Sequence, residues 1–234
     1  MILCVLVVVC IVSVTESLIL KTPQETASGS QLLLPSVRSV HLQFTQSEPS
    51  ILHHPETPSP VFSTLLKRRD DLELYGKPVQ YNPNEANFAA LQFYPSETND
   101  FANWDATLLL KPADSPLISS CFVAMNRFCV KDSCFSLFEE RWAERNTQLP
   151  GQSGFVWFTL LRRRKEASDP GYNYASCTLW ASQDAWQGWR NGDGRYSHDA
   201  SKTGRRTPVS EWMVRPASPI FWDGYETLLT DSGV

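Results

Sequence analysis

Residues 122–130 read FVAMNRFCV, and the alternation in this stretch decides the fold. A period of two puts Phe122, Ala124, Asn126, Phe128 and Val130 on one face of a strand, the pattern of a sheet with one buried side. Onward from it, Asp132 or Ser133 can cap a helix running to about Gln148. In that helix Phe135, Phe138 and Trp142 recur at spacings of three and four, while Glu139, Glu140, Arg141, Glu144 and Arg145 face water. Pro150-Gly151 stops it. Residues 155–163 (FVWFTLLRR) and 172–180 (YNYASCTLW) follow as two strands joined by a loop over 166–171, with Arg162, Arg163, Arg164 and Lys165 as a solvated strand end. Ser182 caps a second helix bearing Trp186 and Trp189 on one face, and Asn191-Gly192-Asp193-Gly194 breaks it. Residues 209–215, between Pro208 and Pro216, form the last strand. Strand, helix, strand, strand, helix, strand is the split βαβ, ferredoxin-like arrangement of an α+β domain. It covers 121–216 and leaves 217–234 as a C-terminal tail.

The chain around this domain is 234 residues long, 42% apolar, 12% aromatic and 20% charged, with a formal charge of −4. This is a globular composition, and its weakly acidic balance argues against a nucleic-acid binder. The charge is unevenly spread: residues 1–120 hold 7 basic and 12 acidic residues, residues 121–216 hold 14 and 10, and the tail holds none and 3. The basic middle segment can attract a small anionic ligand, and the same value also suits an ordinary surface.

Toward the amino terminus the pattern changes. Residues 2–14 (ILCVLVVVCIVSV) form an apolar run too short for a membrane span of about 20 residues but right for a signal-peptide core, with cleavage expected after Ser17. The mature protein is then expected to have no membrane segment. Residues 18–69 are rich in Ser, Thr and Pro and poor in acids, a composition that reads as unable to bury a core. Behind a signal peptide it resembles the bipartite leader of plastids of secondary origin, and it reads equally as a disordered linker of a secreted protein. Residues 70–120 form an N-terminal extension of uncertain role, in which 88–94 (FAALQFY) and 106–111 (ATLLLK) look like short ordered elements.

Cys4 and Cys10 fall in the leader, which leaves Cys121, Cys129, Cys134 and Cys177 in the mature chain. None forms a CxxC pair, so buried free thiols are expected rather than a zinc site or a disulfide framework. Asn126 is the one polar side chain in its apolar row. It either bonds nearby backbone or meets a ligand.

Several segments together, AMNRF at 124–128, FEERWAER at 138–145, GF at 154–155, FTLLR at 158–162 and TLWASQDAWQGWRNG at 178–192 followed by His198, resemble the antibiotic-biosynthesis-monooxygenase (ABM) superfamily. More narrowly they resemble its haem-degrading branch, the IsdG and MhuD type. That branch is known for an Asn on the first strand, a Trp at the end of the second helix and a His nine or ten residues beyond. Asn126, Trp189 and His198 hold these places, the last two nine apart.

The resemblance implies an oxygen-dependent monooxygenase that opens haem and releases iron, with haem as substrate and cofactor together and an external electron donor. His198 would be the axial ligand of the haem iron, Asn126 would donate its amide on the other side, and Trp189 would press the porphyrin out of plane. Trp186 is expected in the core. The resemblance also implies a dimeric α/β barrel, so a homodimer is expected, with Phe122, Trp157, Phe158 and Trp212 on sheet surfaces that one copy cannot cover. Two other readings stay open: a cofactor-free ABM monooxygenase acting on a quinol or polyketide-like aromatic, and an ABM protein that binds haem without turnover.

Overall fold

A computed structural model describes residues 39–49, 60–94, 102–110, 120–145, 147–164, 171–192 and 209–229. The signal peptide, the first part of the leader and His198 lie outside these residues. Within them the C-terminal part follows the expected order. Strand β7 (Cys121–Val130) leads through a 3₁₀ turn into helix α1 (Phe135–Ala143), then come β8 (Phe155–Arg163), β9 (Tyr174–Trp180) and α2 (Gln183–Asn191). A short helix α3 (Val209–Trp212) and the long strand β10 (Met213–Leu229) complete it. The strands lie in the order β10-β7-β9-β8, all antiparallel, which is the ferredoxin-like sheet.

The N-terminal part is where the structure departs most from the sequence reading. Residues assigned to a leader without a core supply β1 (Ser39–Thr45) and β2 (Phe62–Arg68), and the uncertain extension supplies β5 (Phe88–Tyr94) and β6 (Trp104–Leu110). Their order is β6-β1-β5-β2. Counted along the chain, both halves therefore show the order fourth, first, third, second. The N-terminal half is a second ferredoxin-like sheet, and among its described residues there is no helix. Its second and third strands are joined instead through a hairpin, β3 (Glu73–Leu74) and β4 (Lys77–Pro78), turning on Tyr75 and Gly76, both at positive φ as a type I′ turn requires.

Two seams join the halves, β2 with β10 and β6 with β8, and they close one eight-stranded barrel. Closure removes both free sheet edges. The interior is a continuous core in which Trp157 meets Phe62 and Phe93 at centroid distances of 4.7 and 4.6 Å. A bulge between Phe155 and Trp157 turns Val156 and Trp157 both inward, so Trp157 reaches across the barrel to the other half. Phe122 and Phe158 face outward and are covered by α2 and α1, and Trp212 packs half-buried against the same outer cluster. The surfaces that called for a second copy are thus covered within one chain, and the ground for expecting a homodimer falls away.

The end of the chain also differs. Residues 209–212 are helical, and the last strand runs on through the supposed tail to Leu229. Pro216 was expected to close the last strand, yet β10 accommodates both it and Pro219. Register shifts flank Arg215, and Pro219 lies where β10 pairs with β7 before β2 joins at Trp222. Gly224 sits where β2, β7 and β10 meet. A Cβ there would press on the Cys121 Sγ and come within 2.9 Å of the Thr64 Oγ1.

The basic run after β8 is not simply a solvated strand end. Arg164 donates from Nε to the Asp105 carboxylate at 2.7 Å, and its guanidinium also reaches the Ala102 carbonyl and the Ser39 hydroxyl, both at 3.1 Å. Among the described residues three ion pairs cross between the halves: Arg164 with Asp105, Arg127 with Glu85, and Arg69 with Asp223. In two of them an arginine of the basic segment 121–216 meets an acid of the N-terminal half, and in the third the direction is reversed, with Arg69 meeting Asp223.

Candidate active site on the outer face of the C-terminal sheet

The outer face of this sheet is divided between the two helices. Helix α1 lays Phe138 and Trp142 on Phe128, Tyr174 and Phe158, with centroids 4.8 to 5.9 Å apart. It begins at Phe135 behind the 3₁₀ turn Asp132–Cys134 and ends at Ala143, short of the expected Gln148. The chain then drops back so that Leu149 is buried against the same cluster. The Tyr174 hydroxyl donates to the Glu139 carboxylate at 2.7 Å, and Arg162 donates to the same carboxylate at 3.1 Å. Burial first, and then the Glu139 charge, push the Tyr174 phenol above its ordinary range.

Helix α2 covers the other part. The Ser182 hydroxyl accepts from the Ala185 N–H at 3.2 Å, capping the helix as expected, with Asp184 in the first turn and Arg190 in the last. Gly154, at φ +71°, lies so close beneath α2 that a Cβ would stand 2.5 Å from that of Ala185. Trp186 is buried against Phe122 and Phe221 at 5.3 and 5.1 Å, the core role expected of it. The N-terminal hairpin supports α2 from the side. Leu72 is buried in the same cluster, Leu74 and Val79 pack against it, and the Arg190 guanidinium lies over the Tyr75 ring at 4.7 Å.

Trp189 is half-buried, its ring on Trp180 at 5.5 Å with 34° between the planes. Between the ground held by α1 and that held by α2 runs a strip formed by Ala124 and Asn126 of β7 with Thr178 and Ser176 opposite them on β9. Asn126 stands exposed there, on the same face as Phe122 and Phe128, as the alternation required. From its partner Ser176 to Trp180 is four residues of extended chain, about 13 Å. Asn126 and Trp189 therefore share one outer face at the two ends of a short strip. His198, the third member of the trio, lies outside the described residues. Among those residues no group of three His, Cys, Asp or Glu side chains is placed to hold a metal ion.

A strip whose floor is Ala124 with the hydroxyl residues Ser176 and Thr178, flanked by aromatic side chains and carrying one exposed amide, offers a polar centre to a flat ligand. The described residues supply the amide and the aromatic face, and an axial nitrogen would have to come from His198.

Sequence alternation also placed Arg127 on the face opposite Asn126, but nothing in the pattern marked it. It points into the barrel, 7% exposed, and donates to Glu85 and to the Ser218 hydroxyl. The four thiols Cys121, Cys129, Cys134 and Cys177 are free, with Cys121 and Cys177 buried in the barrel. No helix among the described residues is long and apolar enough to cross a membrane.

Residues 121–195 match the family model described as antibiotic biosynthesis monooxygenase, ABM. Among solved structures, a protein assigned as a monooxygenase from Fusobacterium nucleatum is 9% identical with a TM-score of 0.51, over 83% of this chain and 94% of its own. That likeness is one of fold, and its span takes in both halves of the barrel. An anthrone oxidase-like protein is 11% identical with a TM-score of 0.49, over 85% of this chain and 96% of its own. The haem degrader MhuD of Mycobacterium tuberculosis, solved with two haems in its active site, is 26% identical with a TM-score of 0.35, over 48% of this chain and 99% of its own. Comparison with curated protein sequences gave no match.

Proposed function

We propose, from the ABM match over residues 121–195, that this chain is an oxygen-dependent monooxygenase and that its substrate is haem. The observation that carries the reading is the placement of Asn126, exposed in an otherwise apolar row, on the same outer face as Trp189. The sequence resemblance to the haem-degrading branch gives these two residues their partner, His198. Haem when bound supplies the iron and the conjugated ring that is attacked. The Asn126 side-chain amide donates a hydrogen bond above the sheet, oriented by a strand that is paired on both sides. Trp189, backed by Trp180, gives the ring a rigid wall. The His198 imidazole would hold the iron. A separate reductant supplies electrons.

Titration with hemin tests the reading. A Soret band should form, and with ascorbate under air it should disappear while ferrous iron becomes available to a chelator. His198→Ala should lose the band. An unchanged hemin spectrum and affinity in that variant would remove the axial assignment, and a quinol oxidised in the absence of hemin would make cofactor-free oxygenation the better reading. A band that persists under ascorbate and air would leave a haem-binding protein without turnover.

A further inference from the structure

Helix α2 has nine residues, and Gly188 lowers the helix propensity of its last turns, so its end depends on contacts from outside. On one side Trp189 rests on Trp180. On the other, Arg190 stands one helical turn beyond Trp186, and its guanidinium lies over two rings, that of Trp186 at 5.3 Å and that of Tyr75 at 4.7 Å from the centroid. Tyr75 belongs to the other half of the chain. It sits at the tip of the β3–β4 hairpin, which Leu72 anchors in the outer cluster at its base.

Tyr75 does not suit the turn it occupies. Its φ of 55° lies in the left-handed region, which asparagine or glycine takes up readily and a bulky side chain only at a cost in free energy. Burial does not offset that cost, because Tyr75 is 72% exposed. Its ring meets Arg190 across the two halves, and a strained, exposed residue set against a helix end points to a role for that contact.

We propose that the Tyr75–Arg190 contact is a clamp by which the N-terminal half holds the last turn of α2 and so fixes Trp189, which makes Tyr75 a positioning residue for the outer-face site. The clamp stands on the geometry alone. Its consequence for turnover rests on the haem reading proposed above.

Tyr75→Asn tests this, since Asn-Gly is a pair that a type I′ turn favours, so the ring is lost while the hairpin is kept. In the full chain without ligand, amide hydrogen exchange followed by NMR reads the Gly192 N–H, which donates to the Trp189 carbonyl at the helix end. It should exchange about two- to fivefold faster, the value of one exposed cation–π contact. The Ala185 N–H, capped by Ser182 at the other end of α2, should be unchanged, and the urea midpoint should not fall. Tyr75→Phe keeps the ring and should behave as the wild type. Arg190→Lys replaces the flat guanidinium with a compact ammonium and should match Tyr75→Asn, and the two changes together should do no more than either alone. With hemin, ascorbate and air, Tyr75→Asn should lower turnover by about the same factor while hemin affinity is kept, and Tyr75→Phe should restore it. Unchanged Gly192 exchange in Tyr75→Asn would overturn the clamp, and faster exchange with undiminished turnover would overturn the positioning role. A wild-type chain that leaves hemin intact would remove the haem reading instead, and the exchange comparison would still decide the clamp.

Discussion

Trp189 rests on Trp180, ring centroids 5.5 Å apart, and Trp180 in turn meets Phe155 edge-on at 5.7 Å. Trp189 is thus both part of a packed stack and the surface that the stack offers outward. Removing it should cost less than removing its fully buried neighbour. Trp189→Ala should lower stability by about 2 kcal/mol, and Trp186→Ala by about 4 kcal/mol. Trp189→Phe keeps much of the contact, so urea unfolding should change little while hemin degradation slows. A Trp189→Phe chain that degrades hemin at the wild-type rate would take this residue out of the reaction.

Asn126 is exposed. Asn126→Ala should therefore alter stability by no more than about 0.5 kcal/mol. Hemin affinity should stay close to that of the wild type. Turnover should fall by a factor on the order of 10², the usual loss when a hydrogen bond made chiefly in the transition state is removed. Single-turnover decay of the Soret band measures this separately from binding.

Light scattering at micromolar concentration should give the mass of one chain. The apolar inner face of the C-terminal sheet is already covered by β1, β2, β5 and β6, with Trp157 packed against Phe62 and Phe93. A dimeric mass would show that the barrel is not the unit at which burial is complete.

Gly224→Ala tests the barrel seam. The added methyl group would press on Cys121 and Thr64 in a close-packed interior, which should cost about 2 kcal/mol. Cys121→Ala frees the space, so the double variant should recover part of that loss in denaturant unfolding. Strictly additive losses would mean that the two side chains do not meet.

Burial pushes the Cys121 thiol up to about 11 and the Cys177 thiol higher still. Both folded values lie above the unfolded thiol value of 9.0, so the folded chain holds these protons longer. Their contribution to stability is whole below that value and is lost as pH rises from it through the folded values. Tyr174 acts with the same sign in the alkaline range. Denaturant midpoints should therefore fall above pH 9.0. At about pH 8, iodoacetamide should modify Cys129 and Cys134 well before Cys121 and Cys177.

From β7 to α2 the C-terminal half was legible because each of these elements carries its own period, whereas the last strand was placed too early and cut short at Pro216. The strand Phe155–Arg163 and the Ser182 cap stand where the sequence put them. The N-terminal half was not, because composition taken over 18–69 averages Ser- and Pro-rich connections with two seven-residue strands that alternate well enough alone: Val40 and Leu42 inward, then Phe62 and Leu66. The repeat was hidden for a related reason, since a ferredoxin-like pattern is recognised by its helices and this half shows none among its described residues. Asn126 stood out as a polar residue in an apolar row. Arg127 did not, because an arginine on the alternate face of a strand reads as solvent-facing until the barrel closes around it. The basic segment read as able to attract a small anion, whereas two of its arginines, Arg127 and Arg164, pair with Glu85 and Asp105 of the other half.

Closure within a single polypeptide changes what a substitution does. In a barrel made from two identical chains, every altered side chain arrives in duplicate and has to suit both seams. Here β2 with β10 and β6 with β8 are built from different residues. Each junction can be tuned by itself, and only the sheet from β7 onward carries helices over its outer face among the described residues. The barrel then presents one such face rather than a symmetric pair, so a bound flat ligand should titrate as one equivalent per barrel.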